Sequence, residues 1–158
     1  MSASKNTDSG VRMVAQNRKA RHLYHIDQTW EAGIVLRGTE VKSLRAGQGS
    51  LNDSYADAEA GEIYLNNFHI PPYEQGNRFN VDSKRRRKLL LHKKEIKKIV
   101  GAVTQKGYTL VPLRVYFRGQ HAKAEIALAR GKKEYDKRSD IKERESRREM
   151  DRAMKTRR

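Results

Sequence analysis

The sequence predicts a mainly β fold: a small antiparallel β-barrel, closed or partly open, with two or three packed helices and a basic C-terminal tail. Three observations carry this. Short apolar runs with a period of two alternate with turn residues from Leu23 to Arg130. One segment, starting at His92, changes to helical spacing. The last 27 residues, Lys132 to Arg158, hold twelve Lys/Arg and seven Asp/Glu, no Gly, no Pro and almost nothing apolar. In 158 residues there is room for one ordinary core and little for a second.

Residues 1–16 are polar and are expected to be flexible, with the domain running over 17–131 and the tail over 132–158. Leu23 to Leu36 reads as a strand. A short helix is expected from Thr39, with Thr39 as cap, Val41 and Leu44 buried, and Gly47 as its end. Ser54 to Ile70 supplies two strands broken at Glu59-Ala60-Gly61. From His92, the apolar residues Ile96, Ile99, Val100 and Val103 fall at i, i+3, i+4 and i+7 and leave Lys93, Lys94, Lys97 and Lys98 on a basic face, with Gly107 as the stop. This helix should plug or cover the sheet. In Val111 to Phe117 the odd-numbered residues Val111, Leu113, Val115 and Phe117 make one face, and Pro112, which has no N–H to donate, marks an edge or irregularity. After the turn Arg118-Gly119-Gln120-His121, the residues Ala122, Ala124, Ile126 and Leu128 repeat the pattern, so the two runs read as a hairpin. Closure of five or six such strands spares exposed edges; an open basic sheet with helices on one face is the competing architecture.

The formal net charge is +16, which predicts attraction to nucleic acid or an anionic membrane. No apolar run approaches the roughly 20 residues of a span, and the basic stretches lack a continuous apolar face, so nucleic acid is the expected partner and a membrane is not. The chain has no cysteine, which allows a reducing compartment, and its N-terminus lacks the apolar segment of a signal peptide; a cytoplasmic monomer is expected.

Charge is densest at Lys84-Arg85-Arg86-Arg87-Lys88, which with Lys93, Lys94, Lys97 and Lys98, less Glu95, puts +8 into fifteen residues. Such a field binds phosphates with strong salt dependence and little base specificity; its bland alternative is a solvated face. Just upstream, the loop from His69 to Asn80 carries Tyr73 and Phe79, placed to stack on unpaired bases, and Arg78, placed to clamp a phosphate. The alternative for the rings is that they anchor the loop. Catalysis has no candidate constellation: the five histidines are scattered, none shows metal-ligand spacing, and no phosphate-binding Gly-rich loop occurs. No enzyme activity, metal or cofactor is expected.

Long blocks in order, EAGIVLRGTEVKSLRAGQGSLNDSYA (Glu31 to Ala56), PYEQGNRFN (Pro72 to Asn80), KLLLHKKEI (Lys88 to Ile96) and LVPLRVYFRGQHAKAEIALARGKKEYDKR (Leu110 to Arg138), resemble the bacterial SsrA-binding proteins, the small protein B family. The resemblance runs from about Asn17 to Lys142. It implies a barrel of the oligonucleotide-binding type, held by the tRNA-like end of transfer-messenger RNA (tmRNA). It further implies delivery of that RNA to stalled ribosomes in trans-translation, with elongation factor Tu and GTP arriving through the aminoacylated RNA. The protein is then a rescue factor and not an enzyme, and the tail, disordered when free and helical on the ribosome, enters the empty mRNA channel past the decoding centre of the 16S ribosomal RNA.

On the matching motifs, the resemblance assigns RNA contacts to Asn17, Arg18, Lys19, Glu31 and Leu91 with the neighbouring basic residues. Glu31, a lone carboxylate beside phosphates, should accept from base edges or hold a nearby Arg. For Leu91 the alternative is a core position. In the tail, Lys132, Lys133, Tyr135, Asp136, Lys137 and Arg138 match the family's junction, Tyr135 standing where members carry a stacking side chain, and Lys142, Arg144, Arg147 and Arg148 continue the ribosome-facing series. Asp140 is expected to cap the helix with Glu143, and Asp140/Arg144, Glu143/Arg147 and Asp151/Lys155 are one turn apart. Ser146 departs from relatives that can present a large aromatic. The alternative function is a general structured-RNA-binding or ribosome-assembly module.

Overall fold

The computed structural model describes residues 10–74, 81–105 and 107–156. Along them run β1 (Val11–Gln16), α1 (Ala20–Leu23), β2 (Tyr24–Ile34), α2 (Gly38–Arg45), β3 (Tyr55–Glu59), β4 (Glu62–Asn66), β5 (Arg87–Leu90), α3 (Lys93–Val103), β6 (Tyr108–Arg118), β7 (His121–Gly131) and α4 (Glu134–Thr156). The expected hairpin is β6 and β7, paired from Tyr108↔Arg130 to Arg118↔His121 across the turn at Gly119-Gln120. Strand order is β1-β6-β3-β4-β5-β2-β7, and β7 returns to β6. Six strands therefore close a ring, as the avoidance of free edges predicts, and β1 lies outside it on β6.

That β1 exists corrects the expectation of a flexible N-terminus up to residue 16: residues 11–16 pair with β6 from Val11↔Arg118 to Gln16↔Arg114. The physical reason is an open ladder. β3 pairs with β6 only at Ala56↔Leu110, which leaves the far half of β6 with unpaired backbone groups that a short extended segment satisfies.

Inside the ring, Trp30, Ala32 and Ile34 of β2, Ile63 and Leu65 of β4, Leu89 of β5 and Ala124, Ile126 and Leu128 of β7 form one core, capped by Leu44 of α2 and Ile99 of α3. Each fully buried Leu or Ile contributes about 1.5–3 kcal/mol. The face assigned to β6 is corrected. Leu110, Val115 and Phe117 point into this core, whereas Val111 and Leu113 belong to a second cluster with Ala20, Ala127 and Ala129. The pairing shifts between Pro112↔Ile126 and Arg114↔Glu125, so Leu113 is an extra residue and the alternation inverts across it. β2 does the same at Asp27: Tyr24 and Ile26 pack on the second cluster, Trp30 on the first. The irregularity expected at Pro112 is thus a bulge.

Helix α3 spans the predicted residues, with Ile99 buried and Ile96, Val100 and Val103 against the core. Helix α2 starts one residue before the expected Thr39 and is closed at its N-terminus by the Glu40 carboxylate, which accepts the Arg37 N–H at 2.8 Å. Gly47, at φ 78°, follows it as expected. The turn at Ala60-Gly61 puts both residues at positive φ, 51° and 75°, the twist a two-residue hairpin needs.

Candidate nucleic-acid interface

At Gly33, β2 stops pairing with β7 and takes up β5: Gly33 faces Lys123 on one side and Leu90 on the other. A Cβ there would meet Leu90 Cβ at 3.3 Å, a tight contact that would push Leu90 back by a few tenths of an ångström. Around this exchange opens a cleft of about 750 Å³, lined by Glu31 and Gly33, by Leu90, Leu91, His92 and Glu95, and by Phe117, Gln120, His121 and Lys123. Glu31 and Leu91, assigned to RNA by resemblance, thus share one cleft. Leu91 is half-buried and packs on the core, as its alternative reading expected, while part of it stays open to the cleft. Sequence reasoning missed His92, Gln120, His121 and Lys123, because nothing in their spacing announces that the β6–β7 turn meets the end of β5.

Glu31 is held in one place. Its Oε2 accepts the Tyr116 hydroxyl and, from Arg118, Nη2 at 3.1 Å and Nε at 3.3 Å. All three bonds land on that oxygen, and Oε1 receives none from the described residues. The Tyr116 hydroxyl holds the Glu31 carboxyl below the usual range; burial opposes this, and Arg118 and Lys123 reinforce it. Tyr116, buried at 2 % exposure, is pushed up to about 12 by burial and by the carboxylate it faces. At neutral pH the pair is therefore a neutral donor and an ionised acceptor.

The run Lys84 to Lys88 does not act as one field. Arg87 is fully buried and is corrected from an RNA contact to a structural residue: Nε donates to Glu40 Oε2 at 2.6 Å, Nη1 to the Phe68 carbonyl at 2.5 Å and Nη2 to the Ser83 carbonyl at 3.2 Å. The cause is strand parity, since β5 turns Arg87 and Leu89 inward and Lys88 and Leu90 outward. Arg85 shares the buried carboxylate, Nη2 donating to Glu40 Oε1 at 2.6 Å. Burial pushes the Glu40 carboxyl up, but the bonds from Arg85, the Arg37 N–H and Arg87 outweigh it and leave it below the usual range. Arg86 lies over the Tyr64 ring at 3.9 Å and pairs with Asp57 and Glu59, so it too is largely spent on the fold. Lys88 stands 3.5 Å from Glu62. Lys84, Lys93, Lys94, Lys97 and Lys98 are exposed, so the usable part of the field lies mostly on α3, the helix whose Glu95 lines the cleft.

Tyr73 is half-buried with the Lys42 ammonium 5.5 Å above its ring; Arg78 and Phe79 lie outside the described residues. Asn17 serves the β6 bulge, donating its N–H to the Leu113 carbonyl at 2.7 Å and Nδ2 to the Pro112 carbonyl at 3.0 Å. Arg18 and Lys19 follow it, exposed, at the start of α1.

The tail is one helix, α4, with no buried residue. It begins at Glu134 rather than at the expected Asp140, because Asp136 accepts the Lys133 N–H at 3.2 Å and closes the first turn. Asp136 also faces His25 Nε2 at 3.5 Å, and these bonds hold its carboxyl low against burial. Lys132 is corrected from a ribosome contact to the tail's root. Its side chain is only 9 % exposed, donating to the Arg21 carbonyl at 2.8 Å and pairing with Asp140, while its N–H meets the Leu23 carbonyl at 2.9 Å. Asp140 thus turns to Lys132 instead of Arg144. Of the expected pairs, Glu143–Arg147 forms at 2.8 Å. Lys133, Tyr135, Arg138, Lys142, Arg144, Arg147 and Arg148 are exposed, and Lys137 is half-exposed.

Among the described residues no group of three His, Cys, Asp or Glu is placed to hold a metal ion, and no helix is long and apolar enough to cross a membrane. A small closed ring of antiparallel strands with a cleft of mixed apolar and polar lining, and with exposed lysines along α3, defines an RNA-binding protein of the oligonucleotide-binding class.

Within that class the match is specific. The family model described as SmpB protein fits residues 14–156, and the chain belongs to that family. It is 59% identical to the SsrA-binding protein of Pelotomaculum thermopropionicum, covering 93% of this chain and 96% of the other. It is 61% identical to that of Acetivibrio thermocellus, covering 91% and 94%, and 55% identical to that of Desulforamulus reducens, covering 99% and 98%. Among solved structures it resembles a chain of "tmRNA-SmpB: a journey to the center of the bacterial ribosome", with a TM-score of 0.64 and 54% identity over 80% of this chain and 87% of that one.

Proposed function

We propose that this protein binds the tRNA-like domain of transfer-messenger RNA through the cleft at Glu31 and delivers that RNA to stalled ribosomes for trans-translation. The observation that carries the reading is the Glu31 carboxylate, tied to Tyr116 and Arg118 through Oε2 and open at Oε1, in the same cleft as Leu91. A carboxylate cannot attract phosphate, but a fixed oxygen accepts amino groups at base edges, while Leu91 packs on a base or sugar and Lys93 and Lys94 meet the backbone. The relatives are SsrA-binding proteins and the similar solved chain is from a tmRNA-SmpB ribosome study, which supports the same partners. The protein works as a cytoplasmic monomer and catalyses nothing. Elongation factor Tu and GTP join through the aminoacylated RNA, and α4 occupies the empty mRNA channel, where Tyr135, Lys137 and Arg138 reach 16S ribosomal RNA at the decoding centre.

The test compares full-length protein with a fragment ending at Lys133, which keeps the Lys132 anchor. Binding to the tRNA-like domain is measured at about 0.15 M salt against tRNA and another structured RNA of equal length. The expected result is that both forms prefer the tRNA-like domain and that only the full chain supports tagging on stalled ribosomes. If neither form discriminates, the protein is a general structured-RNA or ribosome-assembly module.

A further inference from the structure

A second, smaller cleft of about 280 Å³ lies where the tail meets the body, lined by Arg18, Arg21 and His22 on one side and by Asp140, Glu143, Arg144 and Arg147 on the other. Both carboxylates in it are already engaged, Asp140 with Lys132 and Glu143 with Arg147. The Arg144 Nη2 donates to His22 Nδ1 at 3.3 Å, and Arg144 also helps to hold the Asp140 carboxyl low. Arg18, Arg21, Arg144 and Arg147 therefore share one space with two carboxylates that are each already paired, which leaves the guanidiniums in excess. Cations in excess of their counter-charges repel one another, and the planar donors they present suit a phosphate.

We propose that this cleft takes one backbone phosphate of the RNA held by the body, gripped jointly by Arg21 and Arg18 from the body and Arg144 from the tail. The inference rests on the body binding RNA and adds that RNA binding and tail placement are coupled. A phosphate bridging the two sides favours α4 in its docked direction, and by reciprocity the docked helix tightens the RNA. The Arg144–His22 contact then keeps the place until the RNA arrives.

A double-mutant cycle in the full-length chain tests this, with Arg21→Ala, Arg144→Ala and the pair, titrated with the tRNA-like domain over a range of salt. Arg152→Ala, which removes a tail charge outside the cleft, serves as control. The expected result is a several-fold loss of affinity in each single variant with the salt slope lowered by about 1, and a double variant little worse than the worse single. Losses that add, or an Arg144→Ala variant that matches Arg152→Ala in affinity and slope, overturn the shared phosphate. A wild-type protein with no preference for the tRNA-like domain sinks the tmRNA reading instead. The cycle still decides the cleft in that case, since phosphate neutralisation is independent of sequence.

Discussion

The basic run at residues 84–88 and the basic tail read alike as sequence and end in opposite physical situations. In the run, a strand begins at Arg87 and its alternation turns one guanidinium wholly inside while its neighbours find partners on the surface. In the tail, a 23-residue helix buries no residue and turns most of its charges outward, Asp136 and Asp140 at its start facing the body. Arg85, Arg86 and Arg87 of the first region are part of the fold, whereas most cations of the second are exposed to a ligand, apart from Arg147, paired with Glu143, and Lys132, which ties the tail down.

The strongest way to break that comparison is Arg87→Ala. Removing one partner of a buried ion pair leaves Glu40 Oε2 without its donor and Arg85 as its only charged partner, and a loss of about 3 kcal/mol is expected, read by chemical denaturation. Arg147→Ala on the tail should move the same midpoint by less than about 0.5 kcal/mol. Equal stability of Arg87→Ala and wild type would mean that Arg87 belongs with the solvated charges after all.

Next in size, Lys93→Ala with Lys94→Ala should lower affinity for the tRNA-like domain uniformly across RNAs and reduce the salt slope by about 2, one for each phosphate no longer neutralised, with stability unchanged. An unaltered slope would place the usable field elsewhere than on α3.

The body's charges are also coupled to pH in a direction that can be worked out. The Glu31 and Glu40 carboxyls are held low in the folded state. Their contribution is therefore present above the ordinary carboxylate value of about 4.3 and is lost as pH falls through the folded values. Tyr116 is raised to about 12, so its contribution is complete below its unfolded value near 10 and is lost as pH rises toward the folded one. An ultraviolet titration of the native protein should show one tyrosine ionising near that raised value. In Glu31→Gln it should move part of the way back, because burial, the larger cause, remains. The smallest effect belongs to the tail: Glu143→Ala removes a single one-turn pair and should reduce helix stability by about 0.2–0.5 kcal/mol, seen as a slight drop in helical circular dichroism.

Much of the fold was legible. The hairpin of β6 and β7, the face of α3, the turn at Ala60-Gly61 and the coreless tail all follow from local periodicity. The inversion at Leu113 did not. Val111 to Phe117 looks like one clean alternation, and only the pairing with β7 and the capping of the freed carbonyls by Asn17 show that a residue is extra. The cleft was half legible. Resemblance pointed to Glu31 and Leu91, but Tyr116 and Arg118, which fix the carboxylate, read as ordinary strand residues.

By itself the sequence determined the hairpin of β6 and β7, the face of α3 and the lack of a core in the tail, because those depend on spacing along a few neighbouring residues; β1 and β5, short and held by distant strands, it did not mark. Only the tertiary structure decided that Arg87 goes inside, that His92 and His121 face one space and that Lys132 anchors the tail. The reason is that each of these depends on a partner far along the chain, Glu40 for Arg87 and Arg21 for Lys132, whose distance is set by closing the ring.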